Sequence, residues 1–141
     1  MGAINIEDFG YTKTTTSSVE EAAGKVQEAV KAHGFKVQHV HDVRASLAEK
    51  GFDREPYLII EICNAKYAHV VLEKHPGIGL MMPCKINVYS INGTTYVSGM
   101  RPVLIAKLFP ELDMDRIAAE VDEVVRSIVD EATSEPSPED P

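Results

Sequence analysis

Cys84-Lys85-Ile86-Asn87-Val88-Tyr89-Ser90-Ile91-Asn92-Gly93-Thr94-Thr95-Tyr96-Val97-Ser98-Gly99-Met100 is the stretch that decides the fold class. Asn-Gly suits a two-residue hairpin turn, because both positions need a positive φ. The flanking residues are rich in β-branched and aromatic types. Two antiparallel strands are therefore expected, Cys84 to Ile91 and Thr94 to Met100.

Upstream of the hairpin, Tyr57 to Cys63 holds the most apolar run in the chain, Leu58-Ile59-Ile60, followed by Glu61-Ile62-Cys63. Apolar groups on both faces mark a central strand. Asn64 is a good N-cap for a helix that carries Ala68, Val71 and Leu72 inward. Pro76-Gly77-Ile78-Gly79 breaks that helix. If the segment from Asn64 to Pro83 crosses over the sheet, the strands at Tyr57 and Cys84 are parallel. If the loop from Pro76 to Met82 folds back, they are antiparallel, and both readings stay open.

Nearer the N-terminus, Tyr11 to Thr16 reads as a first strand. Ser17 and Ser18 each have a Glu three residues on, the capping-box spacing. Val19, Ala22, Ala23, Val26 and Val30 then share one helical face, and Gly34 supplies the stop. Phe35 to His41 reads as a strand with Phe35, Val37, His39 and His41 on one side. Asp42 caps a short helical turn through Val43 and Leu47, which Gly51 ends. After the hairpin, Arg101-Pro102 leads into a short helix from Val103 to Phe109, which Pro110 interrupts. From about Met114, Ile117, Ala118, Val121, Val124, Val125, Ile128 and Val129 form the apolar stripe of a last helix.

These elements add up to an α+β fold: a two-layer sandwich whose mixed, mostly antiparallel sheet of about five strands carries helices on one face. Residues 1–131 are expected to form a single domain, and 132–141 a disordered acidic, Pro-rich tail. A sheet face left apolar needs a cover, and a second copy of the chain, in a homodimer, is the economical one.

The chain has 141 residues, 14 Lys and Arg against 22 Asp and Glu, and a formal net charge of −8. Phosphate backbones are held by clustered Lys and Arg, and no basic run is present, so neither nucleic acid nor an anionic membrane surface is an expected partner. No apolar run approaches the ~20 residues that span a bilayer. Met1 to Asp8 shows neither a positive segment nor an apolar stretch, so a secretory signal is not expected. Two cysteines are too few for a secreted disulfide framework, which points to the cytoplasm.

Chemistry concentrates around Glu61-Ile62-Cys63-Asn64 and Pro83-Cys84-Lys85. A helix N-terminus beside Cys63 favours its thiolate, whereas Glu61 on the same side of the strand opposes it. Buried cysteines acting as small hydrophobes are the alternative. His39 and His41, two apart, would make sensible zinc ligands with a cysteine. Without CxxC or HExxH no metal is assigned. Met81, Met82 and Met100 could hint at soft-metal or haem ligation, but Met more often fills core gaps. Arg101 could bind an anion. The candidate binding residues are therefore Cys63, Cys84, His41, Glu61 and Arg101, with no catalytic residue and no cofactor assigned.

Pro76-Gly77-Ile78-Gly79-Leu80-Met81-Met82-Pro83-Cys84, with Glu61-Ile62-Cys63-Asn64 and Ala68 before it, resembles a widespread prokaryotic family, domain of unknown function 302. His41-Asp42, Leu47, Gly51 and Arg101-Pro102 sit where that family's motifs would put them. The resemblance runs from about Thr12 to Val129, and its most specific part is the Pro83-Cys84 neighbourhood. The family often has Pro where this chain has Ala65. What the resemblance implies is a compact α+β fold, dimeric, with no agreed activity.

Three functions fit these residues. One is a homodimeric binding module holding a small molecule, metal or sulfur species near the two cysteines. The others are an interaction protein with core cysteines and a thiol-dependent enzyme.

Overall fold

A computed structural model describes residues 5–134. After a 3-10 turn at Ile6–Phe9 come β1 (Gly10–Thr15), α1 (Val19–Ala32), β2 (Lys36–Asp42), α2 (Val43–Ala48), β3 (Tyr57–Cys63) and α3 (Ala65–Lys74). A second 3-10 turn, Pro76–Met81, leads to β4 (Cys84–Ile91), β5 (Thr94–Met100) and α4 (Pro102–Leu108). A third, Pro110–Leu112, precedes α5 (Asp115–Thr133).

The local signals act as the residue chemistry requires. Ser18 Oγ accepts from the Glu21 N–H at 3.1 Å, Asp42 Oδ1 from Ala45 at 2.9 Å and Asn64 Oδ1 from Tyr67 at 3.2 Å, each capping a helix start. Asn92 and Gly93 both take positive φ, 51° and 83°, and close the β4–β5 hairpin.

The strands lie in the order β1-β5-β4-β3-β2, a single α+β sheet. Every pairing is antiparallel, so the sheet is not mixed. The crossover reading of Asn64 to Pro83 fails because Pro76–Met81 returns the chain to the end of the sheet where β3 stopped, and Ile62 pairs with Cys84. A second correction concerns β2. An irregularity between Val37 and His39 inserts Gln38, so Val37 opposes Ile62 while His39 opposes Glu61. Val37 and His39 therefore point to opposite faces, since one extra residue reverses a period of two.

α1 and α5 pack together on one face of the sheet. Ile60, Ile62, Ile86, Val88 and Val97 meet Val26 and Val30 of α1 and Val125, Ile128 and Val129 of α5, all fully buried. Each contributes about 1.5–3 kcal/mol by leaving water. α5 comes so close to β5 that a Cβ at Gly99 would collide with Val125 Cγ1 and press on Val129 Cγ2. α5 continues through Thr133 with Ala132 fully buried, and the rest of the expected tail, from 135 on, lies outside the described residues. No helix among the described residues is long and apolar enough to cross a membrane.

Candidate functional site

An apolar cleft with a volume of about 80 Å³ opens at the end of the sheet where β3 stops and β4 begins. Cys63 and Cys84 both border it; Cys84 pairs with Ile62 of β3, and Cys63, the next residue, pairs with Lys36 of β2. Phe35, Val71, Ile78, Ile105 and Val121 supply aliphatic and aromatic wall. α3 and the turn after it close over this space. Tyr67 Oη donates to Glu120 Oε2 on α5 at 3.0 Å, and His75 Nε2 lies 3.1 Å from the Leu112 carbonyl oxygen. Leu72, expected to point inward, is instead 38% exposed, because Val71 takes the inward position on α3.

Both thiols are free and both are half-buried. Burial pushes the Cys84 thiol up to about 11, with the nearby Cys63 adding to the rise and Lys85 opposing it. Burial also raises Cys63, opposed by a hydrogen bond from the Asn64 backbone N–H. Both thiols are therefore held protonated at neutral pH. Neither is an activated nucleophile.

The remaining sequence candidates do not join them. His41 Nε2 lies 3.3 Å from Glu61 Oε2, and the His39 ring meets His41 edge-on at 4.2 Å. These three side chains stand on the sheet face opposite the helices, because Ile60 and Ile62, which alternate with Glu61, fill the core. Neither histidine lines the cleft. Among the described residues no group of three His, Cys, Asp or Glu is placed to hold a metal ion. Arg101 forks onto Asp122, its Nε and Nη2 at 3.2 and 3.0 Å from the two carboxylate oxygens. It is a clamp between β5 and α5 rather than an open anion site.

Sequence reasoning set Met81, Met82 and Met100 aside as core filler and did not weigh Met114. Met81, Met82, Met100 and Met114 all line the cleft. All four are half-buried, whereas the fully buried core side chains are Ile and Val. The signal was present in the concentration of Met between positions 81 and 114, but gap-filling in the core is the commoner role.

The face of the sheet away from the helices carries a second feature. Tyr57, Tyr89 and Tyr96, one from each of three neighbouring strands, stack with ring centroids 4.9 and 5.4 Å apart. The Arg54 guanidinium lies 4.9 Å over the Tyr57 ring. These tyrosines, Lys85 and Asn87 line an open groove of about 710 Å³. Asn87 Nδ2 donates to Tyr57 Oη at 3.1 Å, while its Oδ1 is buried without a hydrogen bond.

A family model described as domain of unknown function DUF302 matches residues 11–132. The fold also superposes on a crystal structure described as an uncharacterized conserved protein DUF302 from Bacillus stearothermophilus. The TM-score is 0.82 and the identity 30%, over 88% of this chain and 98% of that one. No curated protein matches the chain.

Proposed function

The chain belongs to the DUF302 family, whose description carries no activity, and from the geometry we propose a module that binds a small ligand in the cleft between Cys63 and Cys84. The observation that carries this reading is the cleft itself: an apolar space bordered by both cysteines and roofed by α3. Its volume of about 80 Å³ holds a few atoms rather than a nucleotide or a haem, since sites for larger ligands run to roughly 300 Å³ or more. The raised thiols argue against a thiol-dependent enzyme, because thiolate is scarce at neutral pH. Two unpaired thiols suit a reducing compartment such as the cytoplasm.

Apolar spaces take up small apolar molecules such as benzene. Added benzene should raise the melting temperature of the native protein by a degree or more, and Ala68→Leu, which fills the cleft from α3, should remove most of that rise. An unchanged melting temperature in the native protein, or an equal rise in both proteins, rejects the cleft as the binding site.

The tyrosine-bearing sheet face favours the companion reading of a homodimer. Aromatic rings set in an exposed surface are typical anchors of protein interfaces, and the buried Asn87 Oδ1 lacks a donor. Sedimentation of the native protein beside Tyr89→Glu, which sets a charge in the middle of the stack, tests it. A concentration-dependent dimer that the substitution dissociates supports the reading, and a native monomer ends it.

A further inference from the structure

Every cysteine and methionine among the described residues borders one cleft: Cys63, Cys84, Met81, Met82, Met100 and Met114. They come from the end of β3, the turn after α3, the start of β4, the end of β5 and the residue before α5. No single element accounts for the clustering. All six are half-buried, and none is among the enclosed aliphatic side chains between the sheet and α1 and α5, a core that Cys84 touches only from its edge. Gap-filling Met would be spread through that core, where irregular spaces arise.

We propose that the cleft is a Cu(I) site, built from the Cys84 sulfur and the surrounding methionine thioethers. The inference rests on the reading of the cleft as a binding site and names its ligand class. Soft thiolate and thioether donors select Cu(I), whereas borderline and hard ions favour imidazole and carboxylate. His39, His41 and Glu61 stand on the opposite sheet face, so the donor set is sulfur alone. Charge makes the same selection. One thiolate and neutral thioethers around Cu(I) give a site with no net charge, which an apolar wall tolerates, whereas a divalent ion would keep a buried charge. The volume also fits, since it accommodates an ion and not a large cofactor.

Cys84 supplies the thiolate. It pairs with Ile62 and shares that residue's core-facing side of the sheet, and a coordinated metal ion deprotonates a thiol outright. On binding, the Cys84 S–H bond breaks, a Cu–S bond forms and the proton leaves to solvent. Copper stays in the +1 state throughout. The methionine thioethers complete the coordination as neutral donors.

The test is an anaerobic titration of the full chain with Cu(I), kept reduced by ascorbate, against bicinchoninate as competitor, with Zn(II) run in parallel. One Cu(I) per chain is expected, with about one proton released and only sulfur neighbours in the copper X-ray absorption spectrum. Zn(II) should bind at least 100-fold more weakly. Cys84→Ser should weaken Cu(I) at least 100-fold. The triple variant Met81→Leu, Met82→Leu, Met100→Leu keeps side-chain volume and should weaken Cu(I) at least 10-fold with an unchanged circular dichroism spectrum. If it does not fold, single Leu substitutions at Met81 and Met114 give the same comparison. Nitrogen or oxygen neighbours, or full affinity in the methionine variants, overturns the copper site. Loss of Cu(I) binding alongside a retained benzene response rejects this inference and leaves the small-ligand reading standing. Loss of both rejects both.

Discussion

Arg101 holds both carboxylate oxygens of Asp122, and Arg126 reaches the same carboxylate from one turn further along α5 at 3.0 Å. Asp122 is 2% exposed, so its charge stays buried only because two guanidiniums face it. Arg101→Ala leaves that carboxylate with one partner. Urea unfolding should show a loss of about 1–3 kcal/mol, and Asp122→Ala a smaller one, since it removes the buried charge and lets both arginines turn to solvent. No change in either variant would mean that the clamp contributes nothing.

Glu55 ties the β4–β5 hairpin down. Its carboxylate accepts from the backbone N–H of Asn92 at 2.8 Å, from Gly93 at 3.0 Å and from Ser90 Oγ at 2.9 Å. These donors, led by Asn92, hold its pKa below the ordinary 4.5. The stabilisation is therefore fully present above about 4.5 and is lost as the pH falls through the lower folded value. Glu55→Ala should flatten this part of the acid-stability curve and speed hydrogen exchange at Asn92 and Gly93. A superimposable acid curve would contradict it.

Cys84 predicts the opposite limb. Its thiol titrates near 11 in the folded chain and near its ordinary 9.0 when unfolded. Between those values the unfolded state has lost the proton and the folded state has kept it, so stability falls as the pH rises from about 9 to about 11. Two pKa units correspond to about 2–3 kcal/mol. Cys84→Ala should remove that slope. Iodoacetamide should label native Cys84 far more slowly at pH 7.5 than the unfolded chain, and rapid native labelling would refute the raised value.

Two glycines make a paired test of packing. Gly99→Ala forces a methyl into Val125 and Val129, and overpacking of this kind costs about 1–3 kcal/mol. Gly24 lies within α1 with open space around it, and Gly24→Ala should stabilise the fold by about 0.5–1 kcal/mol. Thermal melts of the two variants should move in opposite directions, and a shared direction would refute the close approach of α5 to β5.

Local chemistry made most of the fold legible. Asn92-Gly93, the caps at Ser18, Asp42 and Asn64, and the stripe from Ile117 to Val129 each act within a few residues, where sequence is informative. The direction of β4 was not legible, because Pro76 to Met82 is long enough to lead to either end of the sheet. The bulge at Gln38 escaped as well, since nothing in Val37-Gln38-His39 distinguishes a slipped register from a regular one. Of the site, Cys63 and Cys84 were found, while Glu61 and His41 went to the far face and Arg101 to Asp122. Met114 is 30 residues from Cys84 in the chain, and only the packing of α5 against the end of the sheet brings the two to one wall. Buried Asp122 was hidden inside an apolar stripe, with Arg126 four residues on as its one local hint.

The chain has no Trp, so its near-ultraviolet optical signal belongs largely to five tyrosines, and three of them stand in one stack. Rings held this close exchange excitation energy and give a coupled dichroic band. That band is an intrinsic reporter of whatever comes to rest on the strands bearing Tyr57, Tyr89 and Tyr96, legible without attaching a dye.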